Sequence, residues 1–203
     1  MITIVDYGMG NLGSIRSMLK KIGFASEIVS DPGRIAGASK LILPGVGAFD
    51  AGMENLECSG LIPVLGERVL RARVPILGIC LGMQLMTHRS SEGTRTGLGW
   101  IDAEALRFEP TDARLKVPHM GWNRVRPVRE APLVETLPDE PRFYFVHSYY
   151  IRCRRPEDVL LTTTYGESFH SGFHRDNVWG VQFHPEKSHK FGMHLLRNFA
   201  QRC

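Results

Sequence analysis

The sequence predicts an α/β fold in which a mostly parallel central sheet is flanked by helices and extended by antiparallel strands in the second half. Short β-branched runs alternate with helical patterns in the first half, and strand-like runs joined by turns follow in the second. Of the 203 residues, 43% are hydrophobic, which is enough for a buried core. Because no repeat, linker or low-complexity tract interrupts the chain, we expect residues 1–203 to form a single domain.

The first half contains four predicted strands separated by helical segments. These strands cover residues 2–5, 28–29, 40–43 and 74–77. Apolar residues recur at helical spacing over residues 12–22, with Asn11 as the expected N-cap and Gly23 as the expected stop. A second helix is predicted over residues 61–71, and the Asp-Pro-Gly turn at residues 31–33 ends the second strand. Strands separated by helices favour parallel pairing with right-handed crossovers.

The second half is predicted to be mainly antiparallel. Its strand-like runs cover residues 101–108, 143–151, 159–165, 168–174 and 178–183. The last helix carries Phe191, Leu195 and Phe199, which recur every four residues. Residues 109–140 are rich in proline and arginine, and their pattern assigns no element.

Charge and composition argue against several classes of function. The net charge of +4 is scattered without a long basic block, so nucleic-acid binding is not indicated. The first residues show no secretory pattern, and no apolar run approaches the ~18 residues of a membrane span. The cysteines lack C-x-x-C spacing and are expected to stay reduced in a cytoplasmic protein; they are Cys58, Cys80, Cys153 and Cys203.

A glycine motif follows the first strand. Residues 8–13 (Gly-Met-Gly-Asn-Leu-Gly) match the pattern of a dinucleotide cradle, and Glu27 or Asp31 could supply its acidic residue. The alternative is a tight strand-to-helix turn that brings backbone close to another element. We favour this second interpretation, because the strongest chemical motifs lie elsewhere, and we predict neither a cofactor nor a metal.

The strongest motif is a Gly-x-Cys-x-Gly sequence between a predicted strand and a helix. This is the cysteine form of the nucleophile elbow, in which the nucleophile occupies a sharp turn. Gly78 and Gly82 remove the side chains that would collide there. Cys80 is then expected to project at the carboxyl edge of the parallel sheet, where ligands bind in such folds. The alternative is a structural cysteine buried in a glycine-flanked turn.

A base and an oxyanion hole are also predicted. His184 ends the last strand, and Glu186 follows two residues later, so the carboxylate can orient the imidazole toward Cys80. The glycine loop at Val46 and Gly47 can turn a backbone N–H toward the site, where the N–H of Leu81 would be the second donor. For this loop, the alternative is an ordinary strand-to-helix turn.

Five segments together resemble a known family. They are residues 44–47 (PGVG), 78–84 (GICLGMQ), 118–123 (PHMGWN), 145–149 (FVHSY) and 182–188 (QFHPEKS). These segments resemble the glutaminase subunits of imidazole glycerol phosphate synthase, which are class I triad glutamine amidotransferases of histidine biosynthesis. The third and fourth segments are the most specific to this subfamily. The likeness extends from Asp6 to the final helix and implies a flavodoxin-like, class I glutamine amidotransferase fold.

The resemblance implies a role for each matching residue. Cys80 would attack the side-chain amide of glutamine, with His184 as base and then acid and Glu186 orienting it. The residues implied to bind glutamine are Gly47, Gln84, Ser148 and Tyr149. The residues implied to face the partner are Asn11, Trp122, Tyr144 and Lys187. That partner would be a (β/α)₈-barrel cyclase subunit, forming a heterodimer that uses the ammonia to make imidazole glycerol phosphate and AICAR. The resemblance also implies weak glutaminase activity until the cyclase binds its own ligand.

Three alternatives remain open on sequence grounds. The chain could be a paralogous glutaminase subunit that feeds a different synthase, such as a sugar amidotransferase of surface-polysaccharide synthesis. It could be a triad hydrolase without a partner, such as a γ-glutamyl peptidase. It could also be a nucleotide-binding module that uses residues 8–13.

Overall fold

The computed structural model describes residues 1–203. Its strands are β1 (Ile2–Val5), β2 (Ser26–Val29), β3 (Leu41–Gly45), β4 (Ile76–Cys80), β5 (Arg89–Ser90), β6 (Ala103–Arg107), β7 (His119–Arg124), β8 (Arg126–Pro127), β9 (Arg142–His147), β10 (Tyr149–Cys153), β11 (Val159–Tyr165), β12 (Glu167–Arg175) and β13 (Val178–Val181). Its α-helices are α1 (Leu12–Lys21), α2 (Pro32–Ile35), α3 (Phe49–Cys58), α4 (Leu61–Gly66), α5 (Leu81–Leu85) and α6 (His189–Arg202). None of these helices combines the length and apolarity needed to cross a bilayer.

The main sheet has a parallel half and an antiparallel half. The parallel half runs in the order β2-β1-β3-β4-β13. The sheet continues through β12, β10 and β6, which pair antiparallel with their neighbours, and then to β5, which is parallel to β6. The predicted parallel core with an antiparallel extension is therefore confirmed.

Apolar residues of the central strands point alternately to the two faces of the sheet. On β3, Leu43 packs on the face covered by α3 and α4, whereas Ile42 packs on the face covered by α1 and α6. Each such side chain, once fully buried, contributes about 1.5–3 kcal/mol to the stability of the fold. The buried strands thus hold the carboxyl end of β4, and with it Cys80, in a rigid frame.

The prediction of one strand over residues 143–151 is wrong. The chain breaks at Ser148 into β9 and β10, which belong to different sheets. Strand β9 pairs antiparallel with β7 in a separate two-stranded sheet, and β10 pairs with β6 in the main sheet. Strand β7 lies within residues 109–140, where the sequence pattern assigned no element. This small sheet carries several of the residues that surround the site.

Several predicted helix limits also need correction. Helix α4 ends at Gly66 and continues as a π-helical turn, Glu67–Arg71, and helix α3 was not predicted. Asn11 lies at the N-cap position of α1, but its side chain makes no capping hydrogen bond. The turn predicted at residues 31–33 instead begins α2, where Asp31 accepts a hydrogen bond from the N–H of Arg34 at 2.7 Å.

Candidate active site

Cys80 lies at a sharp turn between β4 and α5. Its φ of +53° is a conformation that residues other than glycine rarely adopt, and such strain is typical of functional turns. A Cβ atom at Gly78 would lie 2.8 Å from the backbone of Met83, and one at Gly82 would overlap the carbonyl oxygen of Leu43. The turn can therefore form only with glycine at both positions, as the elbow motif predicts.

His184 reaches the same place from the end of β13. Strand β13 is parallel to β4, with Val181 beside Ile79, so the two strands end side by side. His184 Nδ1 lies 2.8 Å from Glu186 Oε1, and both side chains are almost completely buried. Nε2 of His184 makes no hydrogen bond within the protein. The carboxylate therefore fixes the ring and leaves Nε2 available to a reacting group.

The charge state of His184 depends on both of its neighbours. Burial disfavours the imidazolium, but Cys80 and Glu186 outweigh burial and raise the pKa of His184 to about 10. The ring is therefore protonated at neutral pH. A protonated imidazole at this position can donate a proton to a leaving group.

The backbone of His184 is held by β9. Its N–H donates to the carbonyl oxygen of Tyr144 at 2.9 Å. The Ser188 hydroxyl donates to the carbonyl oxygen of His184 at 2.6 Å and accepts the N–H of Tyr144 at 3.0 Å. Strand β9 of the small sheet therefore fixes the backbone of His184, from which the imidazole projects.

A cavity of about 330 Å³ opens above Cys80 and His184. Its walls include the predicted oxyanion residues, which are Val46, Gly47 and Leu81. They also include the residues implied to bind glutamine, which are Gln84, Ser148 and Tyr149. Glu186 lies behind His184, outside the lining. A larger surface groove at residues 127–136 contains none of the predicted site residues.

A hydrogen-bond network that the sequence analysis missed connects the sulfur of Cys80 to the carbonyl oxygen of Tyr149. Gln182 is fully buried, and its Nε2 lies 3.7 Å from Cys80 Sγ. Gln84 Nε2 donates to Gln182 Oε1 at 3.1 Å and to the carbonyl oxygen of Tyr149 at 3.2 Å. Because both N–H groups of Gln84 are used inside the protein, its Oε1 is the atom left to face a ligand. The sequence signals for Gln182 were its position two residues before His184 and its place in the matching segment 182–188, neither of which assigned it a role.

Glu92 is the second residue that the sequence analysis missed. It is the only carboxylate in the cavity lining, and its Oε2 accepts the N–H of Phe49 at 2.8 Å. Asp50 holds the loop that carries Glu92 by accepting the N–H groups of Thr94 and Arg95 at 2.9 and 3.0 Å. These contacts span more than 40 residues, so no local motif could indicate them.

The residues implied to face the partner fall into two groups. Trp122, which is 46% exposed, pairs across the strands with Tyr144, and the Lys187 ammonium lies 5.6 Å from the centre of the Tyr144 ring. These three form one surface patch. Asn11 is also exposed, but it lies at the start of α1 and makes no hydrogen bond or ring contact with them.

The glycine motif at residues 8–13 has a structural explanation. Gly8 and Gly10 have φ of +85° and +106°, and a Cβ atom at Gly10 would lie 3.2 Å from Pro44. The turn therefore packs closely against the end of β3, beside the loop that carries Val46. This matches the predicted tight turn with close backbone approach.

Comparisons with known proteins agree on one family. The family model for class-I glutamine amidotransferases matches residues 3–203. The chain is 53% identical over 201 residues to imidazole glycerol phosphate synthase subunit HisH 2 of Pseudomonas aeruginosa, covering 99% of both chains. It is 52% identical over 203 residues to the protein of the same name from Methanococcus maripaludis, covering 100% of both.

Solved structures support the fold. PurLQS from Thermotoga maritima has a TM-score of 0.74 at 17% identity, covering 98% of this chain and 96% of that one. A glutamine amidotransferase from Thermotoga maritima has a TM-score of 0.71 at 17% identity, covering 99% of this chain and 96% of that one. Together with the family model, these likenesses confirm the predicted class I glutamine amidotransferase fold.

Proposed function

The chain belongs to the HisH glutaminase subunits of imidazole glycerol phosphate synthase, which are class-I glutamine amidotransferases, and we propose that its Cys80, His184 and Glu186 hydrolyse glutamine. One observation carries the proposal. The imidazole of His184 is locked by a carboxylate on one side and presents an unpartnered Nε2 beside a strained cysteine on the other. This is the arrangement that nucleophilic catalysis by cysteine requires.

The proposed reaction has two steps. Cys80 passes its proton to His184 Nε2, and its Sγ attacks the side-chain amide carbon of glutamine while the N–H groups at Leu81 and at the Val46–Gly47 loop stabilise the oxyanion. His184 Nε2 protonates the leaving nitrogen, so that ammonia departs and a γ-glutamyl thioester remains. His184 then takes a proton from water, which attacks the thioester and releases glutamate and the Cys80 thiol.

Glutamine is proposed to bind with its amino-acid end against Glu92, Gln84 and the backbone at Ser148 and Tyr149, all of which line the cavity. The Glu92 carboxylate and Gln84 Oε1 are acceptors, which suits an ammonium group. The backbone at Ser148 and Tyr149 would hold the carboxylate end. The side-chain amide then extends toward Cys80 and Gly47, across a cavity of about 330 Å³.

Replacing Glu92 with glutamine is expected to raise the KM for glutamine by about tenfold, because one charge-assisted hydrogen bond to the ammonium is lost. The variant still accepts the N–H of Phe49, so kcat should stay within about threefold. Steady-state glutamate release by the complete complex measures both. Glu130→Gln changes an exposed glutamate outside the cavity and is the matched control. An unchanged KM in Glu92→Gln would contradict this binding mode.

The ammonia requires a partner that consumes it, because free ammonia in neutral water is protonated and loses its nucleophilicity. The family consists of subunits, and we propose that the partner is a (β/α)₈-barrel cyclase that makes imidazole glycerol phosphate and AICAR. The patch of Trp122, Tyr144 and Lys187 would form part of the interface, with Asn11 as a separate contact. A thiol nucleophile must stay reduced, which supports the cytoplasm as its location.

A second candidate is favoured by the names of the relatives. Both relatives compared above are named HisH 2, a numbering that distinguishes them from another HisH subunit. The second candidate is therefore a paralogous subunit that serves a different synthase, such as a sugar amidotransferase. Complementation of a histidine auxotroph that lacks its own HisH subunit separates the two candidates. Growth without histidine supports a role in imidazole glycerol phosphate synthesis. If the auxotroph does not grow although the expressed protein is folded and hydrolyses glutamine, the paralogue is supported.

Labelling with 6-diazo-5-oxo-norleucine tests the glutaminase proposal. This glutamine mimic should alkylate Cys80 and no other thiol, and excess glutamine should protect it, because only Cys80 lies in the cavity. Peptide mapping locates the adduct. Cys58 is exposed and serves as the internal control for non-specific reaction. Label on Cys58, or no label on Cys80, would count against the proposal.

A further inference from the structure

Two buried histidines form a hydrogen-bonded pair at the edge of the cavity. His119 on β7 and His147 on β9 lie opposite each other, with His119 Nδ1 3.1 Å from His147 Nε2. His147 Nδ1 lies 2.7 Å from the carbonyl oxygen of Tyr149. His119 Nε2 lies 3.2 Å from Asn123 Nδ2. The triad mechanism uses neither ring.

Hydrogen-bond chemistry determines the tautomer of each ring. A carbonyl oxygen only accepts, so His147 Nδ1 must carry the proton that it donates to Tyr149. In a neutral imidazole the other nitrogen is then an acceptor, so His119 Nδ1 must donate to it. His119 Nε2 is left as the acceptor of the Asn123 amide. The three hydrogen bonds therefore point in one direction: Asn123 donates to His119, His119 donates to His147, and His147 donates to the carbonyl oxygen of Tyr149.

The surroundings keep the pair neutral, and aromatic rings pack against His119. Burial lowers the pKa of His119 to about 4 and that of His147 to about 3. The His119 ring is stacked against Phe145 at 4.8 Å and against Tyr165 at 4.1 Å. The titratable groups that share the cavity with His147 are Cys80, Glu92, Tyr149 and His184, and the charge of His184 lowers the pKa of His147 further.

The carbonyl oxygen of Tyr149 joins this pair to the glutamine site. It accepts one hydrogen bond from His147 Nδ1 and another from Gln84 Nε2. We propose that His119 and His147 are positioning residues: as a neutral, one-directional pair they hold the Tyr149 carbonyl, which in turn orients Gln84 with its Oε1 toward the bound amino acid. This inference rests on the proposed glutaminase function and extends it to specificity for the amino-acid end of glutamine.

Two substitutions at one position test the proposal. His147→Phe keeps a ring but removes the donor, and the KM for glutamine should rise by about tenfold while kcat stays within about threefold. His147→Asn places an amide N–H near the position of Nδ1, and its KM should stay within about threefold of wild type. Both are measured as glutamate release by the complex. Equal KM values for His147→Phe and wild type would overturn the proposal, and so would an equal rise in both variants.

A measurement on the wild-type complex does not depend on how well the variants fold. Imidazole ¹⁵N chemical shifts should show both rings protonated at Nδ1 only, without titration from about pH 6 to about pH 8. An Nε2–H tautomer, or titration in that range, would overturn the proposal. If instead the wild-type complex releases no glutamate, the proposed function fails, which is a different outcome from an active enzyme that tolerates His147→Phe.

Discussion

Cys80→Ala is expected to abolish glutamine-dependent synthesis by the complex and to leave ammonia-dependent synthesis close to wild type. The sulfur of Cys80 is the only thiol in the cavity that also contains His184, and loss of a catalytic nucleophile typically costs about 10⁴-fold or more in kcat. Added ammonium salt supplies the product of the missing step, so the partner's reaction needs only an intact interface. The residues proposed for that interface, Trp122, Tyr144 and Lys187, lie outside the cavity that contains Cys80.

Two assays on one preparation measure this result. Product formation is followed with glutamine and, separately, with ammonium chloride at a pH high enough to provide free ammonia. Cys58→Ala removes an exposed thiol and should leave both rates unchanged. Substantial glutamine-dependent turnover in Cys80→Ala would rule out the thioester route. Loss of the ammonia-dependent rate would instead indicate that the complex no longer assembles.

The parts of the site that could be predicted from sequence are those with local causes. The elbow requires glycine on both sides of Cys80 because a Cβ atom at either position would collide with neighbouring backbone, and the motif that meets this requirement spans only five residues. The pair of His184 and Glu186 is also local, since the carboxylate lies two residues after the ring that it contacts. A tight turn at residues 8–13 was likewise predictable from its glycines.

The parts that could not be predicted depend on contacts between distant segments. Glu92 reaches the cavity because Asp50 holds its loop, and His119 reaches His147 because β7 pairs with β9. In strand β7 the apolar side chains Met120 and Trp122 are exposed and the polar His119 is buried. This is the reverse of the usual alternation of buried apolar and exposed polar residues, so the sequence pattern did not indicate a strand. Ser148 was missed as a break because residues 143–151 look like one continuous strand, whereas the chain passes there from one sheet to another.

Glu186→Gln is expected to lower kcat by roughly 10²–10⁴-fold with little change in KM, by analogy with removal of the orienting carboxylate in other triads. The amide can still accept from His184 Nδ1, but it supplies no charge to stabilise the imidazolium, and it can equally present its N–H groups and favour the wrong tautomer. Because Glu186 lies outside the cavity lining, glutamine binding itself should be preserved. Glu167→Gln alters an exposed glutamate on β12 and is the matched control.

The same substitution should change how stability depends on pH, with a sign that follows from the pKa of His184. That pKa is raised to about 10 in the folded protein, above its ordinary value of 6.5, so between these values the folded state binds more protons than the unfolded chain. The stabilisation from His184 is therefore complete below about pH 6.5 and is lost as the pH rises through about 10. In Glu186→Gln the His184 pKa falls, so the melting temperature should decline less steeply over this range than in wild type. A parallel decline in both proteins would show that Glu186 does not hold the proton on His184, and the kinetic loss would then need another explanation.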